Sequence, residues 1–379
     1  MKRSDICLAI LAASLLTAPA WSYLEQDIEF ASKDGHVLKG KIAYPDKPLK
    51  DRPAVVLVHG SGPADMDHWL PGDQPGLRST TGQPVRLFVQ LRDVFLQAGY
   101  AVLRYNKRGY GVFPESIVMG KEGPVWENPV SVTGTYPNLV DDSLQAVEFL
   151  RARPGQGAAP VFMAGISEGT AVIIDAAARD GNIAGLVLLS PVARNLRETL
   201  YYQNVTRFLD LAKARVDADR DGVLSGRELS KFTPEEFPPA AEPIDLDADR
   251  EATVLELEAY LIDKFNGLAD RLTSVDPFRE YYRGKFALTP GYKESIPKLT
   301  GKVLLVQGEA DVQCPRPEAL VLAGYFKANP RVNFTFKSFP GLGHAFSVNL
   351  GKNKLINTIG PIEPPALDCI KAWASKAQP

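Results

Sequence analysis

Short runs of unbroken apolar residues punctuate this chain, each stopped by glycine or a polar turn, and they alternate with longer stretches of helical spacing. Ala54–Val58 is apolar at every position and ends in His59-Gly60-Ser61-Gly62. Such a run suits a strand buried on both faces of a parallel sheet. Tyr100–Tyr105, Pro160–Ile166, Ile183–Ser190 and Lys302–Gln307 read the same way, and Arg331–Phe339 is strand-like as well. Nearer the start, two strand-like runs between Ile28 and Tyr44 flank the turn signal Lys33-Asp34-Gly35. They predict a β-hairpin. Helical spacing covers Val85 to Ala98, ending at Gly99, then Leu139 to Arg153, ending at Pro154-Gly155, and Gly169 to Arg179. Strands alternating with helices predict an α/β fold, with a mostly parallel central sheet flanked by helices.

One interval breaks the alternation. From Ala193 to about Pro297 no core-strand pattern occurs; the stretch is charged and helical, with Pro234, Pro238, Pro239 and Pro243 in its middle. It reads as a helical cap inserted between two neighbouring strands. A cap there lies over the carboxyl ends of the strands, where open α/β sheets bind ligands. The expected organisation is a leader over 1–20, a core made of 21–192 and 298–379, and a cap over 193–297.

Length and composition fit this plan, since 379 residues at 45% apolar content suffice for one large domain with an insertion, or for two domains. Lys2 and Arg3 make a basic start, Ile6 to Leu16 is apolar but too short to span a bilayer, and Ala18-Pro19-Ala20 supplies small residues. This is the pattern of a secretory signal cleaved after Ala20, which predicts a secreted or periplasmic protein. No later stretch reads as a membrane span. Loss of Lys2, Arg3 and Asp5 with the leader moves the net charge from −2 to −3. Without a basic excess to meet phosphates, nucleic acid is not an expected partner. Cys7 also leaves, so Cys314 and Cys369 remain. An exported protein could join them in a disulfide or keep two thiols, and the sequence leaves both open.

Gly165-Ile166-Ser167-Glu168-Gly169 matches G-x-S-x-G, directly after a predicted strand and before a predicted helix. The sharp turn crowds the backbone, so the flanking residues must be small, and it lifts the hydroxyl over the sheet edge. Serine needs a base to act as a nucleophile. Of His36, His59, His68 and His344, the last follows the final predicted strand in Pro340-Gly341-Leu342-Gly343-His344. His36 falls in the hairpin turn, His59 is expected to shape the loop after its strand, and His68 lies in a polar loop that could line a site. The base needs an acid to orient it. Asp311 stands beyond the strand ending at Gln307, with Glu309 as its nearest rival. Serine, acid and base thus stand each beyond a separate strand, in the order Ser167, Asp311, His344. The expected oxyanion donors are the backbone N–H of Glu168 and that of Ser61 in the glycine-rich loop.

These motifs resemble the α/β-hydrolase superfamily and, within it, bacterial esterase-type members. Such members show a His-Gly-Ser-Gly-Pro loop, here His59–Pro63, and an Arg-Tyr-Asp-Lys-Arg-Gly strand end, here Arg104–Gly109 with Asn106 in place of Asp. The resemblance covers about residues 28 to 192 and 298 to 378 and stops at the cap. It implies acyl transfer through Ser167, with carboxylic esters as the default small-molecule substrate. A peptidase or thioesterase would use the same triad.

A second motif lies inside the cap. Asp217-Ala-Asp219-Arg-Asp221-Gly222-Val223-Leu224-Ser225-Gly-Arg-Glu228 fits the calcium loop of an EF-hand. Asp217, Asp219 and Asp221 would offer side-chain oxygens, Gly222 the turn, Val223 its carbonyl, Ser225 a water and Glu228 a bidentate carboxylate. Thirty residues on, Asp247-Ala-Asp249-Arg-Glu251 echoes its start, with Val254 and Glu258 at the later positions and Ala252 replacing the turn glycine. That second loop is expected to be a weak or empty partner. Calcium is expected to shape the cap, with no cofactor taking part in the chemistry. Two other classes remain to be weighed: a non-catalytic calcium module on a hydrolase scaffold, against which the complete triad speaks, and a dehalogenase, which would want Asp at position 167. Acyl chain length and oligomeric state are not legible.

Overall fold

The computed structural model describes residues 22–46, 52–62, 64–72, 77–108, 119–120, 123–124, 134–153, 159–234, 236–241, 244–274, 279–287, 291–350 and 357–378. The leader and the motif positions Pro63 and Gly109 lie outside these residues.

Eight strands make the central sheet: β1 (Tyr23–Ala31), β2 (Val37–Pro45), β3 (Ala54–Val58), β4 (Ala101–Tyr105), β5 (Val161–Ile166), β6 (Gly185–Leu189), β7 (Gly301–Gly308) and β8 (Val332–Phe339). Their spatial order is β1-β2-β4-β3-β5-β6-β7-β8. The hairpin β1–β2 is antiparallel, β2 pairs antiparallel with β4, and every other pairing is parallel. Gly35, at φ +84°, takes the left-handed position of the hairpin turn. The chain order reverses around β3, which lies between β4 and β5, so the loops leaving β3 and β5 open the crevice where such sheets bind ligands.

The unbroken apolar strands are explained by burial on both faces. Along β3, Ala54, Val56 and Val58 pack into one core layer, and Val55 and Leu57 into the other. The helices Tyr136–Arg151 and Glu168–Asp180 cover the first layer; Leu87–Gln97 and Pro364–Ala377 cover the second.

Between β6 and β7 the chain leaves the sheet and forms a helical insert. A continuous helical run extends from Leu196 to Val216, alternating α and π turns, and the helices Val254–Ser274 and Arg279–Ala287 follow. On Val254–Ser274 the buried positions Val254, Leu257, Leu261, Phe265 and Ala269 recur at helical spacing. They meet Val205, Leu209 and Phe237 in a core of the insert's own, separate from the two sheet layers. No helix among the described residues is long and apolar enough to cross a membrane.

Candidate active site

Ser167 sits at the corner between β5 and the helix Glu168–Asp180, with φ 54° and ψ −123°. Non-glycine residues rarely hold positive φ, and such strain persists only where the surroundings enforce it. The flanking glycines show how. A Cβ on Gly165 would lie 2.5 Å from the Gly169 carbonyl oxygen, and one on Gly169 would lie 2.4 Å from that of Val58. The corner is therefore pressed against the end of β3, and only glycine fits on either side of the serine.

Asp311 and His344 stand in the loops leaving β7 and β8. His344 Nδ1 is 2.8 Å from Asp311 Oδ2. The other carboxylate oxygen accepts from the backbone N–H of Gln313 at 2.8 Å and of Cys314 at 2.9 Å. The acid is thus held by its own loop and offers one face to the imidazole. Glu309, the rival acid, turns away and accepts from the Ser338 hydroxyl at 2.7 Å. Gly308 lets the two loops touch: a Cβ there would lie 2.4 Å from the carbonyl oxygens of Leu342 and Gly343. The Ser190 hydroxyl donates to the His344 carbonyl at 2.7 Å and fixes that loop from below.

Electrostatics separates the histidines. Burial works against a charge on His344, yet the adjoining Asp311 carboxylate, together with Cys314, raises its pKa well above the usual range. Burial, helped by the charges of Lys107 and His344, pushes His68 down to about 3. Burial also lowers His59, whose Nε2 lies 2.8 Å from the Asp65 carbonyl and shapes the loop after β3. His344 alone of these three is poised to take up a proton.

Ser167, His344, Gly60, Ser61, His68 and Glu168 all border one cavity of about 290 Å³. The insert completes its wall with Leu196, Thr199, Leu200, Gln203 and Lys285. Two features here escaped sequence reasoning. Cys314 is buried beside the serine, its Sγ 3.9 Å from Ser167 Oγ, and burial pushes its thiol up, so the sulfur stays protonated and unreactive. Cys314 and Cys369 are both free thiols, which settles the question of a bridge. The second feature is a lysine tie. Lys107 Nζ donates to the Gly60 carbonyl at 2.6 Å and to Glu168 Oε2 at 2.7 Å, while Lys285 of the insert contacts the same carboxylate. This tie joins the glycine loop, the Ser167 corner and the insert. Lys107 was visible as part of a strand-end motif, but nothing in its spacing showed which groups it would bridge. Asn106, the departure from that motif, accepts from the Met66 N–H at 2.8 Å and so still serves the loop.

Away from the cavity, the insert brings two acidic loops together. Ligand oxygens of Asp217, Asp219 and Asp221 lie within 4.8 Å of one another, and those of Asp245, Asp247 and Asp249 do the same. Val223 pairs with Thr253 in an antiparallel bridge between the loops. Glu228 accepts from the N–H groups of Ala218 and Ser225, and the Ser225 hydroxyl donates to it at 2.7 Å. Glu256 does the same for Leu246 and Thr253, and the Thr253 hydroxyl donates to it at 2.8 Å. The second loop therefore runs from Asp245 to Glu256, two residues earlier than the sequence repeat suggests. Asp247 and Asp249 stay in the cluster, Asp245 joins them, and Glu251 and Glu258 do not. Arg250, not Ala252, takes the place of the turn glycine, at φ 79° against 85° for Gly222.

The comparisons with known proteins agree with this architecture. Over 213 residues the chain is 30% identical to Esterase EstD of Thermotoga maritima; the match covers 55% of the chain but 43% of that protein, so the chain spans less than half of the relative's length. Among solved structures, the alpha/beta hydrolase GrgF from Penicillium sp. sh18 superposes with a TM-score of 0.50 at 16% identity, covering 94% of this chain and 99% of that one. DcsB, solved with its substrate analogue, gives a TM-score of 0.50 at 15% identity over 94% and 99% of the two chains. The sequence profile of the alpha/beta hydrolase family matches residues 55–352, and the chain belongs to that family.

Proposed function

We propose that this chain is a serine esterase that cleaves small carboxylic esters through an acyl-enzyme on Ser167. The observation that carries the reading is that His344, held by Asp311 at 2.8 Å, borders the same cavity as a serine on a strained corner. In this mechanism the Ser167 hydroxyl turns from Cys314 to His344, whose Nε2 takes its proton as Oγ attacks the ester carbonyl. Asp311 holds the imidazole by Nδ1 and stabilises the imidazolium. The N–H groups of Glu168 and Ser61 receive the oxyanion, Lys107 keeping their two loops in register. The imidazolium then protonates the departing alcohol. Water enters and gives a proton to His344 as its oxygen attacks the acyl carbon; His344 returns that proton to Ser167 Oγ as the bond to the acyl carbon breaks and the acid leaves. A cavity of about 290 Å³ lies at the small end for ligand sites and favours short acyl chains. The insert acts as the cap that sets this size.

The leader-like pattern of residues 1–20 supports export to the periplasm or beyond, with the mature chain beginning at Trp21. The name of the Thermotoga relative, an esterase, supports the choice of ester over amide.

The test is hydrolysis of p-nitrophenyl acetate and longer esters by the mature protein beside Ser167→Ala. The reading expects the rate to fall about 10⁴-fold or more in the variant, and to fall with chain length in the parent. Equal rates in parent and variant would overturn it.

A further inference from the structure

We infer that the insert binds two calcium ions, one in the loop Asp217–Glu228 and one in the loop Asp245–Glu256, as a coupled pair. Three observations carry this beyond the acidity of the loops. Asp217 is 8% exposed; its Oδ2 accepts from the Gly222 N–H at 3.1 Å, while its Oδ1 is buried with no hydrogen-bond partner. Asp245 Oδ1, at the matching position, is buried and unpartnered in the same way. A buried carboxylate oxygen without a donor is unfavourable by itself, and a cation held among the neighbouring carboxylates is the group that would satisfy it.

The loops then repeat one another at the positions that matter for a bound ion. Positions 1, 3 and 5 are aspartates in both, and the fourth residues, Arg220 and Ala248, share φ of 65° and 63°. The sixth residues, Gly222 and Arg250, share the larger positive φ. Arg250 keeps the turn that glycine would make, so the missing glycine does not disable the second loop. Glu228 and Glu256 close the loops from the twelfth position, where swinging the carboxylate inward supplies a bidentate pair. The all-oxygen set of carboxylates and carbonyls suits calcium over softer or smaller cations.

Finally, the loops share a short ribbon. Beside the Val223–Thr253 bridge, Leu224 N–H donates to the Ala252 carbonyl at 2.6 Å and Val254 N–H to that of Gly222 at 3.0 Å. Filling one loop orders the strand that the other must use, so binding at the two is positively coupled. The helical run Leu196–Val216 lines the cavity at its start and delivers Asp217 at its end, which ties the ions to the cap over the active site.

The experiment is calcium titration by calorimetry on the mature chain after chelator treatment, with native mass spectrometry for the ion count. Two ions per chain are expected in the parent. Glu256→Gln weakens one of them by more than about tenfold, and Glu258→Gln leaves both unchanged. The mass count on the unaltered chain does not depend on how the variants fold. One ion or none at millimolar calcium would overturn the proposal, as would a loss with Glu258→Gln in place of Glu256→Gln.

Discussion

At the scale of single residues, the site is governed by which groups are charged. In the proposed mechanism His344 serves as base only when neutral, and the buried Asp311 raises its affinity for a proton. The acidic limb of kcat/KM is therefore expected above pH 6.5, with activity falling as the pH drops through it. Asp311→Asn removes the cause: the limb moves to lower pH and the rate falls by about four orders of magnitude, read from a pH–rate profile of both proteins. Lys107 positions rather than reacts. Lys107→Met frees the Gly60 carbonyl from the Glu168 carboxylate, and the expected result is a kcat about tenfold to a hundredfold lower with a smaller change in KM. A change confined to KM would show that the tie serves binding and not the oxyanion.

Among the elements, the Ser167 corner and the two acidic loops make an instructive contrast. The corner was legible because G-x-S-x-G stands between a buried strand and a helix, and its glycines answer to contacts that only backbone geometry explains. Gly169→Ala would drive a Cβ into the Val58 carbonyl. A melting temperature lower by several degrees, or failure to fold, is expected in thermal unfolding. The second acidic loop was placed two residues late because Asp-Ala-Asp-Arg occurs twice in the sequence, and the repeat invites alignment on those letters. The backbone follows a different cue: the helix beginning at Val254 places Glu256, not Glu258, in its first turn, where it can reach back to Leu246. Arg250 in the left-handed region could not be foreseen from composition. The insert's own packing also predicts a local effect. Phe265→Ala, at a fully buried position in that core, is expected to lower stability by about 3–5 kcal/mol while leaving the two sheet layers intact.

For the whole molecule, the alternation of strands and helices and the placing of Ser167, Asp311 and His344 were legible from where apolar runs stop, since each of the three stands just beyond a different strand. Contacts that cross between separate segments were not legible. The Lys107–Glu168–Lys285 tie joins residues 61 and 117 positions apart from Glu168, and no local spacing encodes it. The insert and the sheet have separate cores, so they are expected to respond differently to chelation. With EGTA the melting temperature should drop by about 5 °C or more, while ester hydrolysis at low temperature changes little. An unchanged melting curve would show that no ion supports the cap. The central claim is that Ser167 is the nucleophile, and the most direct measurement is peptide mapping after reaction with a fluorophosphonate. The account expects one phosphonyl adduct per chain, on Ser167, and none in His344→Ala over the same time. An adduct on Cys314, or none at all in the parent, would contradict it.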